Sequence, residues 1–228
     1  MKYTYLIINF ASILIPLIYS FHPKLRFYKK WKSLFAANLI VSSVFIGWDV
    51  LYTHLGIWGF NSNYLLGIKV FNLPIEEIMF FICIPYASIF TYHCLGILIK
   101  KDYLLNYAKK ISLLLVLSLT IAGIISLSKL YTSATFLLLA TTIFMLQWII
   151  KVTWLSRFYF SYALLLLPFF IVNGILTGWG LAEPVVIYNN FENLNLRLNT
   201  IPIEDVFYGM LLLITNIGLY EYYQTKQY

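Results

Sequence analysis

Apolar residues fall into seven long runs along this chain, divided by short basic segments and by two longer ones rich in glycine and asparagine. The runs cover roughly 3–21, 34–53, 74–99, 111–129, 132–150, 158–177 and 202–222. Each is about 20 residues, enough for an α-helix to cross a hydrocarbon layer about 30 Å thick. A helix satisfies its own backbone hydrogen bonds, as a segment surrounded by lipid must. The pattern predicts an all-α integral membrane protein with seven transmembrane helices. Composition agrees, with 61% hydrophobic and 11% charged residues, against about 25% charged in ordinary soluble domains. Little chain is left for a soluble part, so one membrane domain is predicted over 1–228.

Charge sets the orientation. The net charge of +7 is sorted by loop, not gathered into a patch for nucleic acid. Lys24, Arg26, Lys29, Lys30 and Lys32 follow helix 1, and Lys100, Lys101, Lys109 and Lys110 follow helix 3. Lys151 and Arg157 follow helix 5, and Lys226 follows helix 7. Only Lys2, Lys69, Lys129 and Arg197 fall on the other side. The excess of basic residues on cytoplasmic loops then places the N-terminus outside and the C-terminus in the cytoplasm of a multi-pass cell-membrane protein. Helix 1 lacks a small-residue cleavage signature before His22-Pro23, so it is expected to remain as a span. Cys83 and Cys94 lie eleven apart on helix 3, too far along its axis to pair, and read as small apolar helix residues.

A repeat emerges from the polar positions. Leu73-Pro74-Ile75-Glu76-Glu77-Ile78-Met79-Phe80-Phe81 returns as Ile201-Pro202-Ile203-Glu204-Asp205-Val206-Phe207-Tyr208. Upstream, Asp49-x-x-x-Thr53-x-x-Gly56 matches Asn173-x-x-x-Thr177-x-x-Gly180. Two parallel three-helix repeats are predicted, about 1–100 and 132–222. A linker helix at 111–129 joins them and restores the chain direction. The connections 54–73 and 178–201 are longer than a helix hairpin needs, which suits functional lids. Trp58, Tyr64, Trp179 and Tyr188 within them fit an interfacial aromatic belt.

The acids carry the chemistry. Nine residues are acidic, and four of them sit in the two motifs. A proline that starts a helix, with acids in the first turn against the helix dipole, is a sufficient explanation in a soluble protein. Near hydrocarbon a carboxylate costs about 2.5–3.5 kcal/mol, so a duplicated pair reads as functional. Glu76, Glu77 and Glu204 each have an aromatic four residues on, at Phe80, Phe81 and Tyr208. If helices 3 and 7 meet, Glu76, Glu77, Glu204 and Asp205 converge. A protonated acid beside a carboxylate base, with aromatic faces for a cation between them, suits acid-initiated carbocation chemistry on an apolar substrate. Asp49 joins the set; Asn173, its counterpart, cannot ionise. Arg197, shortly before Pro202, either pairs with an acid or is a surface loop cation.

At these residues the chain resembles the membrane-embedded lycopene cyclase family of actinobacteria, archaea and fungi, the type built of two homologous halves, separate or fused. The resemblance runs from about Trp48 to Glu221. It rests on Trp48-Asp49-x-x-x-Thr53-x-x-Gly56-Ile57-Trp58, on Leu73-Pro74-Ile75-Glu76-Glu77-x-x-Phe80-Phe81, and on Pro168-Phe169-x-x-x-Asn173-Gly174-x-Leu176-Thr177-Gly178. It continues in Tyr188-Asn189 and Arg197-x-x-Thr200-Ile201-Pro202-Ile203-Glu204-Asp205-x-x-Tyr208-Gly209. It implies redox-neutral cyclisation of the linear ends of lycopene to β-rings, giving β-carotene by way of γ-carotene. Glu76, Glu77, Glu204, Asp205 and Asp49 would supply acid and base. Trp48, Phe80, Phe81 and Tyr208 would line the cation, with Asn173, Thr177 and Arg197 beside the substrate. Spacing does not select the proton donor, and relatives also form ε- or γ-rings. The implied substrate is a lipid-dissolved carotenoid, handed on among other enzymes of its pathway.

Absences narrow the alternatives. No Gly-x-Gly-x-x-Gly is present, so no flavin-binding fold is expected. His22, His54 and His93 lack ligand spacing, so no metal is expected. Helix 7 has no lysine for a retinal Schiff base. A proton-coupled transporter or channel is the alternative, since paired intramembrane acids also mark ion pathways. Against it, the acids lie near one surface, and helices 4 and 5 carry none. A carotenoid-binding module without catalysis would not need the acids.

Overall fold

The computed structural model describes residues 2–226. Seven α-helices follow in chain order: α1 (Thr4–Tyr19), α2 (Trp31–His54), α3 (Ile75–Leu98), α4 (Ala108–Ile125), α5 (Leu130–Phe144), α6 (Leu155–Leu176) and α7 (Ile203–Thr225). A 3-10 turn, Phe27–Lys30, leads into α2, and a π-helical segment, Met145–Ile150, extends α5. Lys151 ends that extension in the left-handed region at φ 57°, a conformation that closes helix C-termini. Six of the seven helical stretches are long and apolar enough to cross a membrane. At 16 residues, α1 is shorter, about 24 Å at 1.5 Å per residue. Large apolar side chains such as Leu39, Ile125 and Leu167 point outward, as surfaces facing hydrocarbon do.

Packing repeats between the halves. α1 packs on α3 as α5 packs on α7, and α2 packs on α7 as α6 packs on α3. α4 lies against α5 and α6. One large core joins α2, α3, α5, α6 and α7 around Phe45, Phe81, Ile89, Ile143, Phe158 and Ile214.

A proline shapes α3 from within. Pro85 has no N–H, so the carbonyl four residues earlier, at Phe81, loses its helical partner. Two side chains of α2 take over: Asn38 Nδ2 donates to it at 3.0 Å and Ser42 Oγ at 2.7 Å. Asn38 Nδ2 also reaches Asn216 Oδ1 of α7 at 3.4 Å. The exposed carbonyl thus becomes a polar tie between three helices in a setting with no water to substitute for it.

The two long connections fold into strands that roof one end of the bundle. β2 (Lys69–Val70) pairs with β3 (Leu73–Pro74), and β5 (Arg197–Leu198) pairs with β6 (Ile201–Pro202), both antiparallel. Each hairpin turns through a left-handed residue, Phe71 at φ 55° and Asn199 at φ 59°. Each is pinned to the helix that follows: Ile75 N donates to Ile68 O, and Ile203 N to Leu196 O. Pro74 and Pro202 are therefore extended residues immediately before α3 and α7, not their first helical residues. A third pair crosses the halves. β1 (Trp58–Phe60) runs antiparallel to β4 (Val186–Tyr188), with Trp58 opposite Tyr188. Of the four aromatics expected in an interfacial belt, Trp179 alone is exposed. Trp58 and Tyr64 are buried and Tyr188 half-buried; the β1–β4 pair holds Trp58 and Tyr188, and a 3-10 turn, Ser62–Tyr64, holds Tyr64.

Candidate functional site

A cavity of about 460 Å³ opens between α1, α3, α6 and α7 beneath the β1–β4 roof. Its size is that of ordinary ligand sites, about 300–1,000 Å³. Its walls are almost wholly apolar, and along α3 they run from Glu77 to Thr91, about 21 Å of helix. Three carboxylates, Asp49, Glu77 and Asp205, lie at the roofed end.

Each carboxylate is held by aromatic donors. Tyr5 Oη of α1 donates to Glu77 Oε2 at 2.5 Å. Tyr131 Oη of α5 donates to Asp205 Oδ1 at 2.6 Å. These are the same contact in the two halves. Asp205 Oδ2 also accepts from Tyr188 Oη at 2.9 Å and from Asn173 Nδ2 at 3.3 Å. Trp58 Nε1 donates to Asp49 Oδ1, with Thr53 Oγ1 at 3.4 Å. Burial, and then the adjacent Asp205 charge, hold the Tyr188 hydroxyl well above the usual tyrosine value, so it stays a donor at any working pH.

The three acids differ in what remains free. Asp205 has both oxygens engaged by three donors. Asp49 Oδ2 is buried without a partner. Glu77 is engaged through Oε2 alone. About a turn further into α7 than Asp205, the Tyr208 ring sits 5.3 Å from the rings of Phe45 and Trp48, 6.0 Å from Trp58 and 6.2 Å from Tyr131. Its hydroxyl is buried and makes no hydrogen bond. An acid cluster and an electron-rich cage thus share one end of an apolar cleft, an arrangement that can protonate an alkene and stabilise the resulting cation.

The remaining acids of the motifs face elsewhere. Glu76 and Glu204 are fully buried but do not reach the cavity wall. Glu76 Oε1 accepts from Leu66 N at 2.6 Å; Glu204 Oε1 accepts from Leu194 N at 2.7 Å and from Thr132 Oγ1 at 2.6 Å. In both halves the donor is ten residues upstream, so each of these acids anchors its own long connection. The acids that converge are one from each pair, Glu77 and Asp205, with Asp49. A helix turns by about 100° per residue, and in each pair it is the second acid, Glu77 or Asp205, that is turned to the cleft.

Of the other residues singled out from sequence, Phe80, Asn173, Thr177 and Tyr208 line the cavity. Thr177 Oγ1 also meets Thr200 Oγ1 at 2.7 Å, tying α6 to the second hairpin. Phe81 and Trp48 stand behind the wall, Phe81 fully buried in the core and Trp48 against Tyr208. The aromatic sharing the cavity with Glu77 is therefore Phe80, and the one sharing it with Asp205 is Tyr208. Each lies three residues after its acid, not four. Arg197 lies on the exposed hairpin, bonded to Thr200 O at 2.7 Å and Asn190 Oδ1 at 2.8 Å. It is a loop cation.

Sequence reasoning missed Tyr5, Tyr131, Trp58 and Tyr188 as partners of the acids. A signal existed for the first two. Each is a tyrosine early in the first helix of its half, and comparing α1 with α5 pairs them.

The family model described as Lycopene cyclase matches residues 2–95 and 128–223, most of the chain in two segments. No curated protein and no solved structure matches it.

Proposed function

Because the chain belongs to the lycopene cyclase family, we propose that it closes the linear ψ-ends of lycopene into β-rings, forming γ-carotene and then β-carotene without flavin or net redox change. The observation that carries this reading is the convergence of Asp49, Glu77 and Asp205 with the Tyr208 cage at one end of an apolar cleft. Glu77, with one oxygen free, donates a proton to the terminal double bond. The tertiary cation is attacked by the neighbouring double bond, which closes a six-membered ring and moves the cation into it. Loss of a ring proton to Asp49 restores a double bond. Proton return from Asp49 to Glu77 resets the site, so atoms and charge balance. Asp205, its oxygens fixed by three donors, supplies the negative charge that stabilises the cation. Trp58 and Tyr208 present ring faces to it, each worth about 0.5–2 kcal/mol.

The fold reading follows. α1 completes seven crossings in one membrane domain, and α1–α3 and α5–α7 are parallel repeats joined by α4. The repeated contacts and the sorted basic loops support it, with the roof outside and the C-terminus in the cytoplasm. A lipid-dissolved carotenoid reaches such a site from the side. The test is pigment analysis of a lycopene-accumulating bacterium expressing the chain and its Glu77→Gln variant. Cyclic carotenoid from the parent, lost by at least about 100-fold in a well-expressed variant, is expected. Unchanged lycopene despite verified membrane expression would sink the reading.

A further inference from the structure

The pattern of contacts predicts two clefts, one per half, yet bulk is distributed unequally between them. The register that places Pro74 on Pro202 places Phe81 on Gly209, and the register that places Asp49 on Asn173 places Trp48 on Val172. Gly209 and Val172 line the open cavity. A Cβ added at Gly209 would make ordinary contact with the Phe169 ring at 3.4 Å and the Tyr162 hydroxyl at 3.7 Å, so the rest of a larger side chain there would take up cavity space. At the corresponding place among α2, α3, α5 and α7, the Phe81 ring is buried 6.2 Å from Phe45. The Trp48 ring lies 5.7 Å from that of Phe45, tilted by 34°. A third difference between the halves acts in the same direction. Ser88 lines the open cavity and corresponds to Asn216, which bonds across to Asn38 and draws α2 onto α7.

We infer that Gly209 and Val172 determine which of the two related clefts takes substrate, and that each chain holds one carotenoid, by one end, in the cleft between α1, α3, α6 and α7. This rests on the cyclase reading. The cleft is open to the side between α1 and α6, where Ile15 and Ile171 form exposed lips. About 21 Å of wall from Glu77 to Thr91 accommodates part of an extended C40 polyene, so the rest lies in lipid. Among the described residues, the place between α2, α3, α5 and α7 that corresponds to the cleft is packed with Phe81 and Trp48, so it offers the far end no room. The second ring therefore closes only after the molecule has left and returned with its other end first.

The test compares purified parent with Gly209→Phe, Val172→Trp and Leu138→Phe, reading bound lycopene, ring formation and the thermal unfolding midpoint. Leu138 is the half-exposed α5 position corresponding to Ser12 of the open cleft, with Tyr5 set on Tyr131. The two cleft variants are expected to lose lycopene binding and conversion by at least about tenfold while still unfolding cooperatively, with the midpoint lowered modestly at most. Leu138→Phe stays within about twofold of the parent. Should Gly209→Phe fail to fold, Val172→Trp decides. A folded cleft variant that binds and converts like the parent overturns the inference, as does a comparable loss in Leu138→Phe. With lycopene in large excess, monocyclic product should accumulate before bicyclic; bicyclic product without it overturns the one-end-per-visit assignment. A parent that neither binds nor converts lycopene removes the cyclase reading itself.

Discussion

Trp58 and Tyr188 stand opposite each other across the β1–β4 pair, and each donates a hydrogen bond to a different cavity carboxylate, Trp58 to Asp49 and Tyr188 to Asp205. One strand pair between the halves therefore positions two of the three acids. Trp58→Phe keeps an aromatic ring, smaller than the indole, but removes the N–H. A hydrogen bond to a charged group contributes about 1.5–3 kcal/mol, so a loss of about 10- to 100-fold in ring formation is expected. The check is initial rate at saturating lycopene, with the protein level matched.

Glu76 and Glu204 should separate from Glu77 by phenotype. Glu76→Gln and Glu204→Gln retain an oxygen that can accept from Leu66 N and Leu194 N. They are expected to keep activity within about tenfold of the parent. Glu76→Leu and Glu204→Leu orphan a buried backbone N–H at a cost of about 1–3 kcal/mol. Those variants should lose folded yield and melting temperature. Loss of chemistry in a stable Glu76→Gln protein would contradict the anchoring role.

The carbonyl exposed by Pro85 offers a stability test. Asn38→Leu with Ser42→Ala removes both donors to Phe81 O and should cost about 1–3 kcal/mol. Adding Pro85→Ala supplies a helical N–H for that carbonyl and should recover part of the loss. Melting curves in detergent for the parent, double and triple variants would decide it; no recovery in the triple variant counts against the account.

Orientation can be read by labelling. A cysteine at Asn63, exposed in the roof, should react with a membrane-impermeant maleimide on intact cells. One at Lys101, beyond α3, should react only after permeabilisation. The native Cys83 and Cys94 are buried and provide little background. The reverse pattern would invert the topology.

The helices were readable from apolar run length, because lipid demands long uninterrupted helices and leaves few alternatives. The predicted run 202–222 and the observed α7, Ile203–Thr225, differ only at their ends. The duplicated acids were readable as well, since charge is rare in such a chain. Their division of labour was not. Glu76 and Glu77 are adjacent and chemically alike, and only the course of the 54–73 connection shows which of them it consumes. The strands were hidden for a similar reason. Pieces of two or three residues, such as Lys69–Val70, are too short for a period-2 pattern to register. Trp58 was misplaced because a tryptophan near a membrane surface suits an interfacial belt and a buried donor equally.

The β1–β4 pair joins a strand from one half to a strand from the other, so neither half alone can close the roof. Two polypeptides produced by severing the chain between α3 and α5 would carry Asp49 and Glu77 on one and Asp205 on the other, and the cleft that gathers the three needs walls from both. They would be inert apart, and their joint activity would rise with concentration. In the continuous chain α4 acts as a tether, replacing that encounter with an intramolecular one, so the roof forms independently of dilution.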